Sequence, residues 1–292
     1  MNRSITAIAL IITLVSNAHG QISSSTTRKS EPKSEPKPKS TQSIDELLLF
    51  FPVKHPSGDW APKDLDFKDV DFTSADKTKL HAWYCPCDNP RAVILLSHGN
   101  AGNLAGHASW LRYLQKQARV SVMIYDYRGF GRSEGKPTVE GVLQDATSAR
   151  AKLCQLASVK DSELLLMGES LGGAIAVQLA AKSAPRGLIL QSTFSSLKDV
   201  ATVHYPKLAW LVPANKLNSA AAISQYHGPI LQSHGDKDEI VPFHSGEKLF
   251  QAANEPKDLL TISNAGHNNW MCKDYLTRFD EFLERVKPVE KR

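Results

Sequence analysis

The apolar run Leu164–Met167 passes without a break into Gly168-Glu169-Ser170-Leu171-Gly172-Gly173, and a helical stretch, Leu171–Lys182, starts at once. Few chains can accommodate this. A strand that is apolar at every position is buried on both faces, so it needs helices above and below it. The strand-to-helix turn that follows is tight. Small residues must flank Ser170, and Gly168 and Gly172 supply them by letting neighbouring backbones approach. The seryl hydroxyl is then carried above the sheet at the positive end of a helix.

The same alternation recurs along the chain. Nearly continuous apolar runs lie at Ala92–Ser97, Val120–Tyr125, Glu163–Met167, Gly187–Gln191, Pro229–Gln232 and Leu259–Ile262. Phe67–Phe72 and Leu80–Cys85 precede them and alternate more, as edge strands do. Between the runs, helices are predicted over Leu104–Gln117, Val139–Leu156, Leu171–Lys182, His244–Ala253 and Met271–Val286, with Thr138 as an N-cap. The fold class is therefore α/β: an eight-stranded, mostly parallel sheet flanked by helices, in one domain over residues 44–288. An insertion at about residues 194–226 separates two of the strands. It carries Phe194, Tyr205, Leu208, Trp210, Leu211 and Val212, and Pro206 and Pro213 break any long helix there. Its length points to a short cap with an apolar lining; the plain alternative is a crossover helix with its loops.

The N-terminal region has a different character. Arg3 precedes an apolar run, Ile5–Val15, that is short for a bilayer span, and Ser16-Asn17-Ala18 and Ala18-His19-Gly20 offer small residues at cleavage positions. Residues 1–20 are expected to be a signal peptide, making the protein periplasmic or secreted; an uncleaved N-terminal membrane anchor is the alternative. Residues 21–43 are dominated by Ser, Thr, Lys, Glu and Pro and read as a disordered linker. Residues 1–43 carry a net charge of +4 out of the chain's +5. The basic character thus belongs to the leader and linker, and a nucleic-acid partner is not expected. Cys85, Cys87, Cys154 and Cys272 have neither metal-ligand nor C-x-x-C spacing, so they read as structural thiols.

A serine hydroxyl needs a base, and the base needs an orienting carboxylate. Behind a strand–G-x-S-x-G–helix unit these follow in the order Ser, acid, His. His267, in Ser263-Asn264-Ala265-Gly266-His267-Asn268-Asn269 after the last strand, is the best-placed of ten histidines. Asp236, Asp238 and Glu239 share the loop after Pro229–Gln232, with Asp236 in a turn setting behind Gly235. An oxyanion requires two backbone N–H donors. Leu171 offers one, and Asn100, in Ser97-His98-Gly99-Asn100-Ala101-Gly102-Asn103, is the expected second. His98 is expected to hold that loop rather than to act as a base.

His98–Asn103, Asp126-Tyr127-Arg128-Gly129-Phe130-Gly131-Arg132-Ser133-Glu134-Gly135, Gly168–Gly173, His234-Gly235-(x)2-Asp238-(x)2-Val241-Pro242 and Gly266–Asn269 are five spaced motifs in one order. The sequence resembles the α/β-hydrolase superfamily over about residues 48–286, and more narrowly its serine-aminopeptidase-like and depalmitoylase-like branch. The resemblance implies the α/β-hydrolase fold and a catalytic triad of Ser170, Asp238 and His267 without a cofactor or metal. It makes Asp126–Gly135 a structural turn in which Arg128 pairs with a carboxylate or loop carbonyls. Asn269 stands where relatives often carry Asp. The expected activity is hydrolysis of a small-molecule carboxylic ester or thioester through an acyl-enzyme. A peptidase acting on peptide N-termini, with Glu169 or Glu239 near the amine, and a non-catalytic ligand-binding domain are the alternatives.

Overall fold

The computed structural model describes residues 42–286. The chain divides into two units, Met1–Lys39 and Ser40–Arg292. The first, with the expected signal peptide and nearly all of the expected linker, lies outside the described residues. The last two linker positions do not: Gln42 Nε2 donates to the Pro137 carbonyl at 2.5 Å, and Ser43 occupies the N-cap of helix α1, Ile44–Leu49.

Eight strands form the sheet: β1 Lys68–Thr73, β2 Lys79–Cys85, β3 Val93–Ser97, β4 Ser121–Tyr125, β5 Leu165–Glu169, β6 Gly187–Gln191, β7 Ile230–Gly235 and β8 Lys257–Ile262. Their spatial order is β8-β7-β6-β5-β3-β4-β2-β1. β2 runs antiparallel to both neighbours, and β3 to β8 are mutually parallel. The chain leaves β3 toward β4 on one side and later returns to β5 on the other. The crevice at the carboxyl ends of β3 and β5 is therefore the topological switch point, where α/β sheets place their sites.

The strand side chains sort with a period of two. Val93 and Leu95 of β3, Met123 and Tyr125 of β4, and Leu188 and Leu190 of β6 enter one core. Ile94 and Leu96, Val122 and Ile124, and Ile189 enter the other. Helices α3 (Val139–Ala157), α4 (Leu171–Lys182), α6 (Ser219–Ile223) and α7 (Phe243–Ala252) supply apolar residues to the first core. The second is filled by α2 (Ala108–Arg112) and α8 (Lys273–Arg285), where Trp110 packs edge-on against Trp270 and Phe279.

Several elements depart from the sequence expectation, three of them near the site. The helix expected over Leu104–Gln117 is a 3-10 turn, then α2, then a π turn over Tyr113–Gln117 closed by Ala118 N–H onto the Tyr113 carbonyl at 3.0 Å. β5 starts two residues late, behind a 3-10 turn at Asp161–Glu163, and continues through Glu169. The strand thus delivers its register directly to Ser170. The insertion forms α5 (Leu197–His204), a 3-10 turn at Ala209–Leu211, and α6. A bridge between Ser196 and Asn218 closes its neck, so residues 197–217 form a small lobe. Within it Val212 is buried, whereas Trp210 is 73% exposed.

The Asp126–Gly135 turn is held as its motif suggested. Arg128 Nη2 and Nε reach the two oxygens of buried Asp145 at 2.7 and 3.0 Å, and Nη1 reaches Asp76 at 2.8 Å. Removing one partner of a buried pair leaves a bare charge. Arg128→Ala should lower stability by about 3–5 kcal/mol, read from denaturant midpoints. Arg132→Ala, which removes a more exposed pair with Asp69 and a stack on the Trp60 ring, should cost less, about 1–2 kcal/mol.

Candidate active site

Ser170 sits between β5 and α4 with φ +53° and ψ −117°. A side chain other than glycine occupies such a conformation only where its surroundings impose it. Here Ser170 N–H donates to the Gln191 carbonyl at 2.9 Å, and the Ser170 carbonyl accepts from Thr193 Oγ1 at 2.7 Å. The two motif glycines are steric requirements. A Cβ on Gly168 would lie 2.2 Å from the Gly172 carbonyl oxygen, and one on Gly172 would lie 1.9 Å from that of Ser97. The first turn of α4 is thereby pressed onto β3 and β5.

The acid and base loops follow β7 and β8. His267 Nδ1 lies 2.7 Å from Asp238 Oδ2, which places the proton on Nδ1 and leaves Nε2 free to accept one. Asp238 Oδ1 accepts the amides of Ile240 and Val241 at 2.9 and 2.8 Å. Burial would raise the Asp238 pKa, but hydrogen bonds from His234 and His267 and the Val241 amide outweigh it, holding the carboxyl well below its usual range. Asp236 has the turn role: its Oδ1 accepts the Asn264 amide at 2.7 Å and staples the two loops together. Gly235 permits this, since a Cβ there would lie 2.2 Å from the Ala265 carbonyl oxygen.

The sequence reading missed what joins the elbow to the base. Gln191, Ser192 and Thr193 continue past β6 as a brace. Gln191 and Thr193 grip Ser170, Ser192 N–H donates to the Ser233 carbonyl at 2.9 Å, and Ser192 Oγ donates to the His267 carbonyl at 3.1 Å. His234 was also missed as a support. It is fully buried, its Nε2 donates to the Val241 carbonyl at 2.8 Å, and it lies 3.3 Å from Asp238 Oδ2. The advance signal for the brace was the small polar run at a strand's carboxyl end, and for His234 its place at the head of the His234–Pro242 motif.

The expected oxyanion residues lie beside the elbow. Leu171 is the first residue of α4, so its amide has no carbonyl one turn earlier in the helix. A Cβ on Gly99 would approach Ser170 Cβ to 3.9 Å, which puts the Asn100 loop against the serine. Asn100 is clamped by a segment the sequence reading left without a role. Its Nδ2 donates to the Leu49 carbonyl at 2.8 Å, and its carbonyl accepts the Phe51 amide at 2.9 Å. Phe51–Pro52 then pairs in parallel with Ala101–Gly102. Lys216 of the lobe reaches Asp45 at 2.7 Å and Glu46 at 3.2 Å, tying α1 to the insertion.

His98 is structural, as expected. Its Nδ1 meets the Gly99 carbonyl at 2.8 Å, its own carbonyl accepts Tyr127 Oη–H at 2.7 Å, and burial pushes its pKa down to about 3. Beside it, Asp126 Oδ1 accepts the Leu104 amide at 2.8 Å and lies 3.7 Å from His98 Nε2. Burial pushes the Asp126 carboxyl up to about 7, against the Leu104 and Arg132 amides and the charges of Lys54 and Arg132. Among the described residues, no cluster of three or more His, Cys, Asp or Glu forms a candidate metal site. The alternative amine-binding acids are separated by environment: Glu169 is half-buried at the end of β5, and Glu239 is exposed.

The match to known proteins agrees with this architecture. The family model described as serine aminopeptidase, S33, matches residues 88–226, which include the Asn100 loop and the elbow. The α/β hydrolase domain-containing protein WAV2 of Arabidopsis thaliana is 32% identical over 255 residues, covering 78% of this chain and 82% of the relative. The chain belongs to the α/β-hydrolase superfamily. YfhR of Escherichia coli strain K12 is 33% identical over 219 residues, covering 71% of this chain and 76% of its own. Among solved structures, the esterase Pf2001 of Pyrococcus furiosus shares the fold with a TM-score of 0.69 at 20% identity, covering 82% of this chain and 98% of its own. The esterase neighbour and the hydrolase family thus share one fold with this chain.

The buried Asp126 generates a pH dependence. Its folded pKa is raised, so folding takes up a proton between the ordinary carboxylate value near ~4 and about 7. This stability is fully present at low pH and is lost as pH rises through 7, by about 1.4 kcal/mol per pH unit across the window. Asp126→Asn should remove that slope, measured as urea-unfolding free energies at pH 5, 6 and 7.

Proposed function

We propose that the protein is a serine hydrolase that cleaves a carboxylic ester or thioester through an acyl-enzyme. The observation that carries this reading is the Asp238–His267 hydrogen bond of 2.7 Å, braced through Ser192 to a serine held at φ +53°. In the proposed cycle Ser170 Oγ attacks the acyl carbon and its proton passes to His267 Nε2. Asp238 fixes the ring and stabilises the imidazolium, remaining ionised itself. The amides of Leu171 and Asn100 hold the oxyanion. His267 gives its proton to the departing alkoxide or thiolate, leaving Ser170 acylated. Water then attacks the acyl carbon, losing a proton to His267, and the collapse returns that proton to Ser170 Oγ with release of the acid.

Two features support an oxygen or sulfur leaving group over an amine. Esterases stand among the structural neighbours. Glu239, one of the two acids expected to receive a peptide amine, is exposed. The insertion is proposed as the cap that selects the acyl group, since its neck at Ser196 directly follows the Gln191–Thr193 brace. Export of the protein is proposed on its N-terminal sequence alone.

The experiment is a p-nitrophenyl ester series from acetate to palmitate, run beside aminoacyl p-nitroanilides. Ester turnover should dominate, Ser170→Ala should abolish it, and Asp238→Asn should lower kcat by about ten-thousand-fold. Turnover retained in Ser170→Ala, or confined to the anilides, refutes the assignment. A fluorophosphonate probe should label the wild type and leave Ser170→Ala unlabelled; an unlabelled wild type would favour a non-catalytic binding domain.

A further inference from the structure

The exposed apolar side chains are concentrated at one edge of the molecule. Among the described residues, eleven large apolar side chains stand exposed, and ten of them belong to segments at the carboxyl ends of the parallel strands or strapped across them. The exception is Leu156, near the end of α3 at the opposite edge. Trp210 is 73% exposed, Ile44 61%, Leu47 58% and Ile240 51%. Burying rather than exposing such groups is the general rule, and clustered exceptions mark a surface that meets a partner.

These side chains are carried on elements bonded to one another. Lys216 joins the lobe to α1. His204 Nε2, at the end of α5, meets the Ile240 carbonyl at 2.7 Å and joins the lobe to the acid loop. Ile240 in turn hands its amide to Asp238. The apolar edge therefore surrounds the candidate site and is built into its framework.

We propose that this edge docks on an anionic lipid bilayer, with the lobe around Trp210 entering the headgroup region. Two observations select a bilayer over a second protein surface. The exposed residues of the lobe pair aromatic and aliphatic groups with Lys198 and Lys207, the composition of an interfacial segment. On the acid loop Lys237 adds a third cation, with Asp236 and Glu239 opposing it. The sequence that leads into Gln42 and α1 is also basic. Residues 21–41 carry Arg28, Lys29, Lys33, Lys37 and Lys39 against Glu31 and Glu35. A basic segment joined to a domain with an exposed apolar face adds its attraction for anionic lipid to the insertion of that face. Docking of this kind is independent of the reaction assigned to Ser170.

The test uses the full chain and tryptophan emission. Vesicles of phosphatidylcholine with phosphatidylglycerol, brominated in their acyl chains, should quench about one-fifth of the emission, one indole of the five in the chain. Trp210→Phe should remove at least half of that quenching, and Lys198→Glu with Lys207→Glu should weaken it. Leu156→Ser should leave it unchanged. Vesicles of phosphatidylcholine alone should quench less. Equal quenching of wild type and Trp210→Phe, or none in either, overturns the proposal. So does a doubled mass by sedimentation without lipid that shields Trp210 from iodide, because a second copy of the chain would then be covering the edge.

Discussion

Everything around Ser170 depends on how closely the first turn of α4 can approach β3 and β5. At Gly172 that approach is so tight that even a methyl carbon would overlap the Ser97 carbonyl. The contact forces the backbone at Ser170 into a conformation its side chain disfavours, and it seats the helix N-terminus against the strand that leads into the Asn100 loop. Strain of this kind persists only when neighbours over-determine it. The Gln191–Thr193 brace does so by holding both the amide and the carbonyl of Ser170. The same brace carries the bond to His267, so the elbow and the base loop are fixed by one segment.

Charge is managed around the site by burial and by pairing, with opposite results at two aspartates. Asp238 is buried but meets donors from His234, His267 and two amides, and stays ionised. Asp126 is buried with weaker compensation, and its carboxyl is held protonated to about neutral pH. The first is suited to orient an imidazole and stabilise its cation. The second supports the start of the turn after the Asn100 loop as a neutral group, next to a neutral His98. One loop chemistry gives a permanent anion and the other avoids one, and hydrogen-bond supply decides which.

Much of this was legible in the residues. The eight strands follow from runs of apolar residues, because a sheet covered on both faces demands them. β6 and α4 have the bounds their patterns indicate, since Gly187 and Ser183 mark the ends. The packing of α2 was not legible: Trp110 meets Trp270 and Phe279, contacts more than 150 residues apart in the chain. The α1 clamp on Asn100 was equally hidden, since the sequence around Ser43 continues the polar composition of the segment before it.

The sequence by itself determined the class of fold, the elbow and the set of polar residues from which a site could be built. Periodicity and glycine placement are local properties, and each is written within a dozen residues. The motif spacing implied Asp238 as the acid, and the tertiary structure supplied the contact that sets it against His267. Asp236 and Asp238 are two residues apart and chemically alike, but β7 and β8 pair in parallel from Ile230–Lys257 to Gly235–Ile262, and this register turns Asp236 toward Asn264 and Asp238 toward the imidazole. Only the tertiary structure gathered the exposed apolar residues onto one edge. They are scattered from Ile44 to Met271 in the chain, and the common direction of the strands collects them.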